Sequence, residues 1–94
     1  MAVALLVDDD PTLLRSLATA LRKQPFDVVT AETVEDAWSV LDRGGVDVVV
    51  SDERMPGTPG SVFLTGVRRR HPDVQRIVLT GQADMTATIE GSDE

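Results

Sequence analysis

The chain has 94 residues, 41 % of them apolar, with sixteen acidic side chains against nine basic ones and a net charge of −7. One small domain with one thin core is what that length allows, and the acidic balance argues against direct binding to nucleic acid or an anionic membrane. There are no cysteines, hence no disulfide and no thiolate metal site, which suits a reducing cytoplasm.

The chain opens on an apolar run, Ala2 to Val7, closed by Asp8-Asp9-Asp10. It has no basic flank and breaks too early for a signal peptide. Nothing in the chain approaches the roughly 18 apolar residues of a membrane helix. A short β-branched run without helical period reads as a buried strand of a parallel sheet. Asp10 is a good N-cap and Pro11 a good first helical residue. Leu14, Leu17, Ala18 and Leu21 then share one face of a helix that runs to about Lys23, with Arg22 and Lys23 suited to its C-terminal end. Pro25 stops it.

Phe26 to Thr30 reads as a second strand. Thr33 caps a second helix with Val34, Ala37, Trp38 and Leu41 on its inner face, and Gly44-Gly45 ends it. Val46 to Ser51 is a third strand, closed by Asp52-Glu53-Arg54-Met55-Pro56-Gly57. A loop follows to Gly60. Thr58 is the expected cap of a third helix, with Pro59 at its first position and Phe63, Leu64 and Val67 facing inward. His71-Pro72 closes that helix, and Arg76 to Thr80 is a fourth strand. Gln82 to Ile89, polar and rich in Ala and Thr, reads as a weak helix.

Strands alternating with helices predict a parallel sheet covered on both faces. We expect a flavodoxin-like α/β fold of three layers, strand order 2-1-3-4, with the fifth position vacant. Ligands in such sheets sit outside the carboxyl ends of the strands. Asp8, Asp9 and Asp52 therefore converge at one end of the sheet. Close carboxylates repel unless a proton or a hard cation intervenes. Oxygen donors with no His or Cys nearby suit Mg²⁺ or Mn²⁺. Thr80 ends the fourth strand at the same end, where its hydroxyl can donate to a phosphoryl oxygen, and Gly81 lets backbone approach closely. Asp10 alone needs no more than its capping role. Arg68-Arg69-Arg70 reads as a solvated helix end, Trp38 as core or half-core, and His71 as a surface residue without partner spacing for metal or catalysis.

The segments LLVDDDPTLLRSL, VDVVVSDERMPG and RIVLTG, in that order and spacing, resemble the receiver domain of bacterial two-component response regulators. The resemblance covers Val3 to about Ile89, so residues 1–94 are expected to form one receiver domain. It implies that Asp52 accepts a phosphoryl group from a sensor histidine kinase and that Asp8 and Asp9 hold Mg²⁺. It further implies that the backbone carbonyl of Arg54 is a metal ligand and that Thr80 is the switch hydroxyl. Arg54 and Gln82 would tune how long the phosphate lasts. The role is that of a signalling phosphoacceptor, not an enzyme. LTGQADM further resembles receivers attached to cyclic-dinucleotide phosphodiesterase or ATPase output domains.

The pattern departs from the family in lacking a fifth strand with an aromatic residue and the lysine, followed by proline, that ends it. The sole lysine is Lys23. We therefore expect a receiver truncated at its C-terminus, its Ile77-Val78-Leu79 edge open and pairing in a homodimer or larger oligomer through the fourth strand and the segment after Thr80. A phosphorylation-incompetent interaction module is one alternative reading. Another is a phosphatase fragment, since Asp8-Asp9-Asp10-Pro11-Thr12-Leu13 also resembles the first motif of haloacid-dehalogenase-type enzymes, with Asp8 as nucleophile and Asp10 as acid/base.

Overall fold

A computed structural model describes residues 2–79 and 87–90. Its elements in chain order are β1 (Ala2–Val7), α1 (Pro11–Leu21), β2 (Phe26–Ala31), α2 (Val34–Asp42), β3 (Val48–Asp52), α3 (Gly60–Arg70), β4 (Gln75–Leu79) and β5 (Ala87–Glu90). They form one sheet in the order β2-β1-β3-β4-β5. The first four strands are parallel, in the predicted order 2-1-3-4.

The fifth position is not vacant. β5 lies antiparallel against β4, with Ile77 opposite Ile89 and Arg76 opposite Glu90. This corrects both the vacant position and the helical reading of Ala87 to Ile89. Residues 82–86 lie outside the described ones. The free donors and acceptors of β4 are used within the chain, so the open edge on which self-association was expected is filled.

Strand alternation divides the core. Leu5 and Val7 of β1, Val49 of β3 and Val78 of β4 meet Ala37 and Leu41 of α2 and Phe63, Leu64 and Val67 of α3 in one cluster. Ala4 and Leu6 of β1 are buried too, and their positions place them on the other face. β1 is thus apolar on both sides, as a central parallel strand must be.

The helix starts follow local chemistry. Asp10 caps α1 by accepting from the Thr12 and Leu13 N–H groups at 3.0 and 3.3 Å. Thr33 caps α2 through the Asp36 N–H at 3.0 Å. At α3 the expectation was wrong. Pro59 occupies the cap position, has no capping side chain, and the helix begins at Gly60 rather than at Pro59 after a Thr58 cap.

Trp38 is half-buried and packs edge-on against Phe63, ring centroids 5.2 Å apart. The basic run beyond it is not merely solvated. Arg70 lies over the Trp38 ring at 4.3 Å and pairs with Asp42 at 2.8 Å. His71, expected at the surface, is half-buried and lies 3.0 Å from Asp42. These contacts tie the C-terminal ends of α2 and α3 together, at the end of the sheet away from the acidic residues.

Candidate functional site

The parallel register of β1 and β3 builds the site. Val7 stands opposite Ser51, so the next residues, Asp8 and Asp52, emerge side by side at the carboxyl ends of two adjacent central strands. Asp9 follows Asp8 before α1 begins. One carboxylate oxygen from each of Asp8, Asp9 and Asp52 lies within 4.8 Å of the others. All three predicted acidic residues are therefore brought together.

Their surroundings differ. Asp8 is buried, its N–H donates to the Ala31 carbonyl at 3.1 Å, and its Oδ1 accepts from the Asp10 N–H at 2.9 Å. Burial raises its carboxyl above the ordinary carboxylate value, and the charges of Asp52 and Asp9 push the same way, against the Asp10 N–H. Asp52 is half-buried, and burial raises it as well, with the Asp9 charge adding to the effect. The backbone N–H groups of Arg54 and Glu53 and the Arg54 charge oppose the rise. Asp9 is exposed. Beside it a cavity of about 380 Å³ opens between the connections that follow β2 and β3, lined by Asp9, Glu32, Val34, Met55 and Thr58 among others.

Arg54, exposed, follows β3 in the loop that leads to α3. Thr80, Gly81 and Gln82 lie outside the described residues. Lys23 lies beyond α1, which starts beside the cluster and runs ~16 Å away from it at 1.5 Å per residue.

Two features of the site were not read from the sequence. Gly60 is buried, and a Cβ there would run into the Asp52 backbone carbonyl. Glu53 reaches across to α3, its Oε1 accepting from the Ser61 N–H at 2.9 Å and its Oε2 from the Ser61 hydroxyl at 3.1 Å. The sequence hid the second, because Thr58 stood as the apparent cap of α3.

The cluster offers oxygen donors alone, one of them buried and two raised first by burial and then by neighbouring carboxylates. That donor set fits a hard divalent cation.

Comparison with known proteins gives a consistent result. The family model described as response regulator receiver domain matches residues 4–94. The hydrogenase transcriptional regulatory protein HoxA of Cupriavidus necator is 38 % identical over 93 residues, which is 99 % of this chain and 19 % of HoxA. The chain thus spans about a fifth of the length of the curated relatives it matches. Among solved structures, the response regulator protein TrrA of Thermotoga maritima, crystallised with Mg²⁺ and BeF, superposes with a TM-score of 0.81 at 31 % identity, covering 89 % of this chain and 73 % of that one. A complex of the histidine kinase ThkA with TrrA matches with a TM-score of 0.80 at 32 % identity, over 86 % of this chain and 70 % of that one.

Proposed function

This chain belongs to the response regulator receiver domain family, and from that premise we propose that Asp52 is its phosphoryl acceptor in two-component signal transduction. The convergence of Asp8, Asp9 and Asp52 at the ends of β1 and β3 carries the reading. The partner is a sensor histidine kinase, by analogy with the complex of TrrA and ThkA.

An Asp52 carboxylate oxygen attacks phosphorus. An O–P bond forms, the bond from phosphorus to the donor breaks, and its electron pair leaves with the donor. Bound between Asp8, Asp9, Asp52 and the Arg54 carbonyl, Mg²⁺ would neutralise the carboxylates and the oxygens of the transferring group. The protein's own part is positional. Asp8 is held by the Asp10 N–H and by the backbone of β2, while Asp52 is held by the pairing of β3 with β1 and β4. The exposed side of the cluster, at Asp9 and the adjoining cavity, leaves room for the donor. Thr80 is the proposed switch hydroxyl, and Arg54 and Gln82 the residues that set the phosphate's lifetime.

The family match displaces the phosphatase reading, in which Asp8 was the nucleophile and Asp10 the acid/base. Asp10 is occupied in capping α1. The test is incubation with acetyl phosphate and Mg²⁺. Phosphate should become bound to protein, and a generic phosphomonoester should not be hydrolysed. Turnover of the phosphomonoester without a stable adduct would defeat the proposal. The phosphorylation-incompetent module keeps one observation in its favour, the remoteness of Lys23 from the cluster, and the same incubation separates the two readings.

Mg²⁺ itself should bind weakly, with a dissociation constant on the order of 1 mM, as expected of an open carboxylate site that leaves water on the metal. Asp9→Ala should weaken it by at least the ~10–100-fold that accompanies loss of a group supporting a metal. Amide shifts followed by NMR during a Mg²⁺ titration measure both. If residues near Asp8, Asp9 and Asp52 do not respond at tens of millimolar (roughly ten times that constant), the site does not bind the metal.

A further inference from the structure

The first N–H groups of a helix need acceptors from outside it. α3 has Pro59 at its cap position, which supplies no side-chain acceptor. Glu53, seven residues upstream of the helix start and next to Asp52, takes over. Its carbonyl accepts from the Gly60 N–H at 3.0 Å, its Oε1 from the Ser61 N–H at 2.9 Å and its Oε2 from the Ser61 hydroxyl at 3.1 Å. Its own N–H donates to the Leu79 carbonyl of β4 at 3.0 Å. Glu53 is thus fastened to β4 on one side and to the first turn of α3 on the other. The segment between its attachments carries Arg54 and turns at Gly57, where φ is +85°.

We propose that Glu53 is a positioning residue for the Asp52 site: by capping α3 from the end of β3, its carboxylate fixes Asp52 and the Arg54 backbone relative to Asp8 and Asp9. The inference rests on the reading of Asp52 as acceptor, and it assigns Glu53 a role that opposes its charge. A carboxylate beside the acceptor repels an incoming phosphoryl anion. Were charge its only contribution, removing it would speed phosphorylation. Were position its contribution, removing it would slow phosphorylation, because small misplacements of a reacting group are costly.

Four forms of the chain decide it: wild type, Glu53→Ala, Glu53→Gln and Glu53→Asp. Phosphate incorporation from acetyl phosphate is followed at fixed, saturating Mg²⁺ and well below each melting temperature. Glu53→Ala should slow incorporation ~10-fold, within the range that a misplaced reacting group costs. Glu53→Gln, which keeps an oxygen for the Ser61 N–H, should stay within about threefold of wild type, since one neutral acceptor replaces a charged one. Glu53→Asp keeps the charge but is one methylene short, and should resemble Glu53→Ala. Mg²⁺ affinity by NMR provides a second readout that needs no phosphoryl transfer, and the same order is expected there. A Glu53→Ala chain that is phosphorylated as fast as wild type or faster overturns the proposal. So does a Glu53→Gln chain as impaired as Glu53→Ala, because the oxygen that accepts from the Ser61 N–H would then not be what positions the site. If the wild-type chain takes up no phosphate, the reading of Asp52 fails. The Mg²⁺ series then stands alone, and equal affinities across the four forms would dispose of Glu53 as well.

Discussion

Asp52→Asn should abolish phosphoryl incorporation and at the same time stabilise the metal-free protein. The first effect follows from chemistry, since an amide oxygen cannot form the acyl phosphate. The second follows from burial and crowding. Asp8 and Asp52 are both raised above the ordinary carboxylate value, first by burial and then by neighbouring carboxylates. A carboxyl raised in the folded state binds its proton more tightly there than in the unfolded chain. Its contribution is therefore fully present below the unfolded value, near 3.8, and is lost as pH rises through the higher folded value. At neutral pH the folded metal-free site carries a half-buried charge and a repulsion that Asn removes. The gain should be on the order of 1 kcal/mol, or roughly 4–8 °C in melting temperature for a domain of this size. The difference between Asp52→Asn and wild type should open as pH rises from about 4 to 7, the interval above the unfolded carboxylate value, and should shrink when Mg²⁺ is added. Thermal melts of the two proteins across that range, with and without metal, measure it. Retained incorporation in Asp52→Asn would move the acceptor elsewhere. A less stable Asp52→Asn in the absence of metal would show that the carboxylates do not repel as their placement requires.

What could be read from the sequence was what local chemistry or strand-end placement decides. Asp10 and Thr33 cap their helices as expected because a cap is chosen by residues within three positions of it. Asp8, Asp9 and Asp52 were legible as a cluster because two apolar runs of a parallel sheet deliver their ends to the same side. The failures lie where a distant partner decides. Thr58 was a plausible cap, but the α3 start is served by Glu53 instead. His71 was read as a lone surface residue, yet its partner Asp42 is 29 positions away. β5 was missed because Ala87-Thr88-Ile89-Glu90 carries no apolar run. It pairs antiparallel with the edge of β4, a partner that local sequence does not reveal. That same edge had been read as a surface for a second chain, so one missed strand removed the premise of that expectation as well.

Gly60→Ala should do the largest structural damage of any single methyl group added near the site. Alanine ordinarily favours a helix over glycine by about 1 kcal/mol, so propensity alone predicts a gain. Space decides otherwise. The added Cβ would collide with the Asp52 carbonyl oxygen and come within 2.9 Å of both the Asp52 carbonyl carbon and the Ser51 Oγ. None of these atoms can swing aside. Ser51 is fully buried and its hydroxyl donates to that same carbonyl at 3.0 Å, while Ser51 and Asp52 are held in β3 between β1 and β4. α3 must therefore back away, and it carries Phe63, Leu64 and Val67 out of their places in the core. The expected loss is ~3 kcal/mol, the upper end of what overpacking costs. Gly66→Ala is the control. Its Cβ would meet only the Trp38 ring, at 3.0 Å, and a half-buried side chain can give where backbone cannot. Its loss should be no more than about 1 kcal/mol. Melting temperatures rank the two, and amide shifts of Ser51 to Arg54 report whether the acceptor has moved. If Gly60→Ala melts with wild type, α3 does not approach the Asp52 carbonyl as closely as the fold requires, and the site's anchorage to that helix goes with it.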